Sequence, residues 1–213
     1  MSTKLTDLAS IEIILQEMSQ EEKATLVIGG SPMSSMAMET YGIPRIWTSD
    51  CCNGLNIFQY TVEKTYRAME EEKKAKGENF DRESFGTMGG LLATVAEMQK
   101  KAKEAEAAGI EMQNTHDVIS YPTGISQAST WNPEVADACA RTVAKEFVKY
   151  GVDLILSPNI NIHRDPLCGR LTESYSEDPY LVSRMAETVV RGLQEEGIIA
   201  NPKHFAANSQ EKD

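Results

Sequence analysis

The run Gly151-Val152-Asp153-Leu154-Ile155-Leu156-Ser157-Pro158-Asn159-Ile160-Asn161-Ile162-His163-Arg164-Asp165 decides the fold class. Val152 to Leu156 is almost wholly apolar, the pattern of a strand covered on both faces. Upstream, Asn132-Pro133-Glu134 predicts a helix start, with Pro in the first turn and an acid behind it. That helix runs to Tyr150 and is closed by Gly151. Downstream, Asp178-Pro179 opens a second helix with Leu181, Met185, Val189 and Leu193 on one face, closed by Gly197. Ile198 to Ala200 begins a further strand that runs into Lys203-His204-Phe205. Strand, helix and strand in alternation predict a parallel sheet with helices packed on it. A dinucleotide-binding sheet has the same rhythm, but no Gly-x-Gly-x-x-Gly follows a strand here.

Working toward the N-terminus, Val118 to Tyr121 reads as a short strand before Pro122, and Arg45 to Asp50 as the first strand of the chain. Ile11, Ile14, Leu15 and Met18 predict an amphipathic opening helix. Ser19 with Glu22 fits a capping box for a second helix ending near Gly29 and Gly30. Between about Asn56 and Asn114 the texture changes. Glu70 to Lys76 is a charge run ended by Gly77, and Met88, Leu91, Leu92, Val95 and Met98 recur at helical spacing until Gly109. This predicts a helical hairpin insertion, 56–114, packed on the body of one domain spanning 1–213. A dimer surface or a lid is the sharper alternative.

The chain has 213 residues, 41% of them apolar, and a formal net charge of −11. A complete (β/α)8 barrel takes about 250 residues, so a barrel of this kind is expected to be partial. The acidic balance argues against nucleic acid and anionic membrane surfaces, which need clustered Lys and Arg. Met1 to Ser10 lacks a basic segment followed by an apolar one, and no apolar run reaches the roughly 20 residues of a membrane span. Cys51, Cys52, Cys139 and Cys168 have neither zinc-site nor disulfide-framework spacing. The expectation is a cytoplasmic protein with reduced thiols and no metal or cofactor.

Each strand placed here from the sequence runs into polar or charged side chains at its C-terminal end. Asp50 closes the first. Ser157, Asn159, Asn161, His163, Arg164 and Asp165 follow the third, and Lys203, His204 and Asn208 follow the fourth. In barrels and open α/β sheets, ligands bind at that end of the strands. Carboxylate, Arg, Lys and His together suit a ligand with many neutral hydroxyls, because the carboxylate accepts and the cations donate. The plainer alternative pairs Arg164 or Arg170 with Glu173, Glu177 or Asp178 as scaffold, and makes His163 a hydrogen-bonded core histidine.

The residues also resemble a known family. Gly151 to Pro179, with its Gly169-Arg170-Leu171-Thr172-Glu173-Ser174-Tyr175-Ser176-Glu177-Asp178-Pro179 run, is similar to the signature of family 3 glycoside hydrolases of the β-glucosidase-like kind. Lys203-His204-Phe205-Ala206-Ala207-Asn208-Ser209-Gln210-Glu211, the leader Ile14 to Lys23 and Ala128 to Glu134 are similar to other parts of it. The resemblance implies an α/β fold: the N-terminal portion of a TIM-like (β/α)8 barrel. It implies that Asp50, Arg170, Lys203 and His204 bind one sugar in subsite −1, with Glu173 and Asn208 supporting them. It also implies a cis peptide at Pro202–Lys203 or His204–Phe205. Asp50 and Gly54 match the family's first loop, but Asn56 stands where the family has arginine, and Cys51-Cys52 is a departure. The tail after Phe205 favours the β-glucosidase or β-xylosidase branch.

The family is retaining, and retention needs two carboxyl groups about 5–5.5 Å apart. The resemblance puts both downstream of this chain, so no catalytic residue is expected within it. The expected substrate is a β-glucoside or related oligosaccharide, and an inactive fragment, a complementing C-terminal chain or a homo-oligomer follows. Three rivals stand beside this: a non-catalytic carbohydrate-binding remnant, an interaction protein built on the hairpin, and a barrel aldolase using Lys203 for a Schiff base.

Overall fold

The computed structural model describes residues 2–31, 33–80, 88–107, 118–205, 207 and 208. The chain divides into two compact units: Met1–Trp47 with Phe58–Asn114, and Thr48–Ile57 with Thr115–Asp213.

The first unit is helical. Helix α1 (Leu8–Glu17) starts at a capping box between Asp7 and Ser10, and α2 (Gln20–Ile28) at the expected box between Ser19 and Glu22. Each box satisfies backbone donors that a helix start leaves open. Of the α1 stripe, only Ile14 and Met18 are buried, packing with Tyr41; Ile11 and Leu15 are exposed. Helices α3 (Ile57–Ala75) and α4 (Met88–Ala107) lie within the 56–114 segment. Within α4, Leu92 is 62% exposed while Thr94 is buried. The Thr94 hydroxyl donates to the Gly90 carbonyl one turn back, which lets a small polar side chain be buried without an unmet hydrogen bond. Glu63 is fully buried, its carboxylate accepting from Ser31 and from Arg67, and the Arg67 guanidinium lies 4.1 Å from the Trp47 ring centroid.

The second unit is α/β. Strands β1 (Thr48–Ser49), β2 (Leu154–Ile155) and β3 (Ile199–Ala200) form a parallel sheet in the order β1-β2-β3. Helix α5 (Gly124–Ala128) precedes α6 (Pro133–Tyr150), and α7 (Pro179–Glu195) connects β2 to β3. Asn132 and Asp178 cap α6 and α7, each accepting from the second helical N–H, with Pro at the start, as expected. The two long helices pack on each other. Ala136, Ala140, Val143, Ala144 and Phe147 of α6 face inward at helical spacing, and Val182, Met185, Ala186, Val189 and Leu193 do so on α7. Arg141 of α6 bonds Asp137 and reaches Glu195 and Glu196 at the end of α7.

One expected strand does not form. Val118 to Tyr121 pairs in no sheet, because its donors go elsewhere: Ile119 N–H to the Glu146 carboxylate at 3.2 Å, and Tyr121 N–H to the Asn53 carbonyl at 2.9 Å. The paired strands are also shorter than the apolar runs that announced them. No helix among the described residues is long and apolar enough to cross a membrane.

Candidate sugar-binding site

The site stands where the parallel strands end. Past β2 and β3 the chains separate and then bridge again, Asn159 beside Lys203. The bridge is held by Lys203 N–H to the Pro158 carbonyl (2.9 Å) and Ile160 N–H to the Lys203 carbonyl (2.6 Å). Between the pairs Ile155–Ala200 and Asn159–Lys203 the β2 side carries one more residue than the β3 side, a bulge that re-aims the side chains beyond it. Two cis peptides lie here, Ser157–Pro158 and Lys203–His204. The second falls between the two bonds the resemblance suggested.

Asp50 follows β1, and its carboxylate accepts from Lys203 Nζ at 2.6 Å across 153 positions of sequence. The loop between them and the next segment is tight: Gly54 has φ +128°, and a Cβ there would lie 2.6 Å from the Ile119 carbonyl, so only glycine fits. Asn56, in place of the family's arginine, turns back on this loop, with Nδ2 3.5 Å from the Asp50 carbonyl. Cys51 and Cys52 are free thiols, and burial followed by the neighbouring Cys51 pushes the Cys52 thiol up. Lys203 sits in an ion pair, not in the apolar pocket a Schiff-base lysine requires, which weighs against the aldolase alternative.

Arg170 grips Glu173 with two parallel bonds, Nε to Oε1 and Nη2 to Oε2, both 2.8 Å. This planar fork is the strong form of a charge-assisted pair. It holds the Glu173 carboxyl below its ordinary value, Arg170 being the main cause and burial opposing it. The scaffold pairing and the proposed site residue are therefore the same arginine. Glu173 is positioned by close packing: a Cβ on Gly124 would come within 2.6 Å of its carbonyl.

Two asparagines connect these groups, and sequence reasoning noted them only as strand-end polarity. Buried Asn159 donates through Nδ2 to Glu173 Oε2 (3.0 Å) and accepts at Oδ1 from Ser174 Oγ and from the Asn161 N–H, both 3.1 Å. Asn161 Nδ2 lies 2.9 Å from His204 Nδ1. A continuous chain thus runs Arg170, Glu173, Asn159, Asn161, His204, and the next residue back from His204 is Lys203 with Asp50. The signal that could have found the asparagines is their alternation with Ile160 and Ile162, which line an apolar groove of about 760 Å³ along α7 instead. Asn208 lines a small cavity together with Asn161, Arg170 and Ser174.

The remaining strand-end residues are not drawn into this chain. Arg164 donates to the Ala207 carbonyl at 3.1 Å, and Asp165 accepts from the Leu167 N–H. His163 Nε2 is buried with no partner. Ser209, Gln210 and Glu211 of the C-terminal motif lie outside the described residues. Among the described residues no group of three or more His, Cys, Asp or Glu is arranged to hold a metal.

A parallel α/β sheet with polar side chains gathered past the strand ends is the arrangement in which barrels and open α/β sheets place their ligand sites. Residues 102–212 match the model of the glycosyl hydrolase family 3 N terminal domain, and the chain belongs to that family. It is 30% identical over 201 residues to thermostable beta-glucosidase B of Acetivibrio thermocellus, covering 94% of this chain and 21% of the relative. It is 28% identical over 199 residues to the exo-alpha-(1->6)-L-arabinopyranosidase of Bifidobacterium longum, covering 93% and 20%. Beta-glucosidase 3B from Thermotoga neapolitana, solved in complex with glucose, superposes with a TM-score of 0.65 at 29% identity, covering 95% of this chain and 24% of that one. The fold is accordingly a partial (β/α) barrel, and the chain spans about a fifth of the length of the relatives it matches.

Proposed function

We propose that this chain carries the sugar-holding half of subsite −1 in a retaining β-glycoside hydrolase of the β-glucosidase or β-xylosidase type. The carrying observation is the hydrogen-bonded chain from Arg170 to His204, continuous through the backbone with the Lys203–Asp50 ion pair. In this reading Asp50 accepts from paired hydroxyls of the sugar, while Lys203, Arg170 and His204 donate to others. Glu173 and Asn208 orient those groups. Beta-glucosidase 3B, a relative solved with glucose, supports a pyranose as the ligand.

The two carboxylates of this rim, Asp50 and Glu173, are both held by cations. That suits positioning rather than the attack and proton transfer of a retaining pair. We assign the nucleophile and the acid/base to polypeptide beyond these 213 residues, in the same or a complementing chain. The apolar groove lined by Ile160, Ile162, Pro202 and the Val182, Ala186 and Val190 side of α7 supports this assignment, being the place for the helix of a following βα unit.

The test is calorimetric titration of glucose into the 213-residue chain. Half a subsite should give saturable binding in the millimolar range, about −4 kcal/mol. No saturable heat up to roughly 100 mM glucose would remove the proposal.

A further inference from the structure

The geometry points to Asn161 as the residue that sets the tautomer of His204. We propose that it holds the ring neutral with the proton on Nε2, so that His204 offers a donor and not a lone pair from that nitrogen. The His204 backbone N–H is a donor and nothing else, and it lies 3.4 Å from Asn161 Oδ1. The amide oxygen of Asn161 must therefore face the backbone, and its NH2 must face the ring. Nδ2 is 2.9 Å from His204 Nδ1, and an amide NH2 only donates. Nδ1 then accepts with its lone pair, and the ring proton is left on Nε2.

The backbone that carries this amide is itself held in place. Asn161 is 6% exposed, and its N–H donates to Asn159 Oδ1 at 3.1 Å. Asn159 is fixed in turn by Ser174 and by Glu173. The charge pair of Arg170 and Glu173 is thus linked, through the Asn159 side chain and the Asn161 backbone, to the residue that faces the imidazole. A reversed amide would set its NH2 against the His204 backbone N–H, two donors facing each other, so the observed orientation is the one that makes both contacts. Asn159 and Asn161 are positioning residues here. The identity of the ligand rests on the proposed function, but the tautomer does not. A hydroxyl that accepts from Nε2–H keeps its own proton for a carboxylate, which is the complement Asp50 supplies.

The experiment is a long-range 1H–15N correlation spectrum of the 15N-histidine-labelled chain, without ligand, at about pH 8, above the ordinary histidine pKa. The chain has three histidines, and His116→Gln with His163→Gln leaves His204 alone. We expect a pyridine-type Nδ1 and a pyrrole-type Nε2 at their limiting shifts, not the averaged values of an unconstrained ring. Asn161→Asp replaces the donor facing Nδ1 by an acceptor, and should move the proton to Nδ1 or produce the imidazolium. A purely structural Asn161 would alter stability and leave the ring signature alone. Averaged shifts or a pyrrole-type Nδ1 in the chain with Asn161 intact would overturn the proposal, as would an unchanged ring in Asn161→Asp. Should that variant fail to fold, the spectrum of the chain retaining Asn161 decides by itself. Absence of glucose binding would count against the proposed function alone.

Discussion

Asp50→Ala should abolish measurable glucose binding, lowering affinity by about 100-fold or more, while the chain stays folded. Hydrogen bonds to an ionised group are worth about 1.5–3 kcal/mol each, and a carboxylate that accepts from two sugar hydroxyls makes two of them. Each 1.4 kcal/mol is tenfold in affinity, so the loss exceeds two decades. The substitution also frees Lys203 Nζ, which the carboxylate holds at 2.6 Å and which then points wherever solvent takes it. Stability should respond far less. The Asp50 side chain is 43% exposed, and pairs with that much water access contribute about 0–1 kcal/mol. Asp50→Asn keeps one acceptor and should fall between the two. Calorimetry and circular dichroism on the same samples separate the effects. Affinity within about twofold of the parent chain would show that Asp50 is a partner for Lys203 and nothing more.

Phe147→Ala should have the opposite signature, a large loss of stability in the second unit with no direct effect on any polar contact of the rim. Phe147 is fully buried on the inward face of α6. Truncating a buried Phe removes its transfer free energy and leaves a cavity, together about 3–5 kcal/mol. Against the 5–15 kcal/mol that a typical domain has in total, that is a large share. With a urea slope of 1–3 kcal/mol per molar, the unfolding midpoint should drop by roughly 2 M. A drop below about 0.5 M would mean that the inward face of α6 does not hold this unit together.

The helices were legible because helix ends obey local rules. Asn132-Pro133, Asp178-Pro179 and Ser19 with Glu22 each place an acceptor over open N–H groups, and each caps the helix it announced. Strands were less legible, because an apolar run does not say where its donors go. Val152 to Leu156 pairs over only Leu154 and Ile155, and Val118 to Tyr121 bonds a loop carbonyl and the Glu146 side chain. The Asp50–Lys203 pair has no local signal at all, since 153 positions separate its members. The resemblance of both flanking motifs implies that the two residues face one sugar, not that they bond each other. Asn159 and Asn161 escaped for another reason. Asparagine is common in loops, and only its alternation with Ile160 and Ile162 marks a segment with one face to a site and the other to a helix.

The most direct test of the account is a structure of this chain with glucose bound. It should show one pyranose ring with hydroxyl oxygens within hydrogen-bonding distance of the Asp50 carboxylate, Arg170, Lys203 Nζ and the His204 imidazole together. Glucose lodged elsewhere, or touching only one of the four while the others keep to their protein partners, would contradict it.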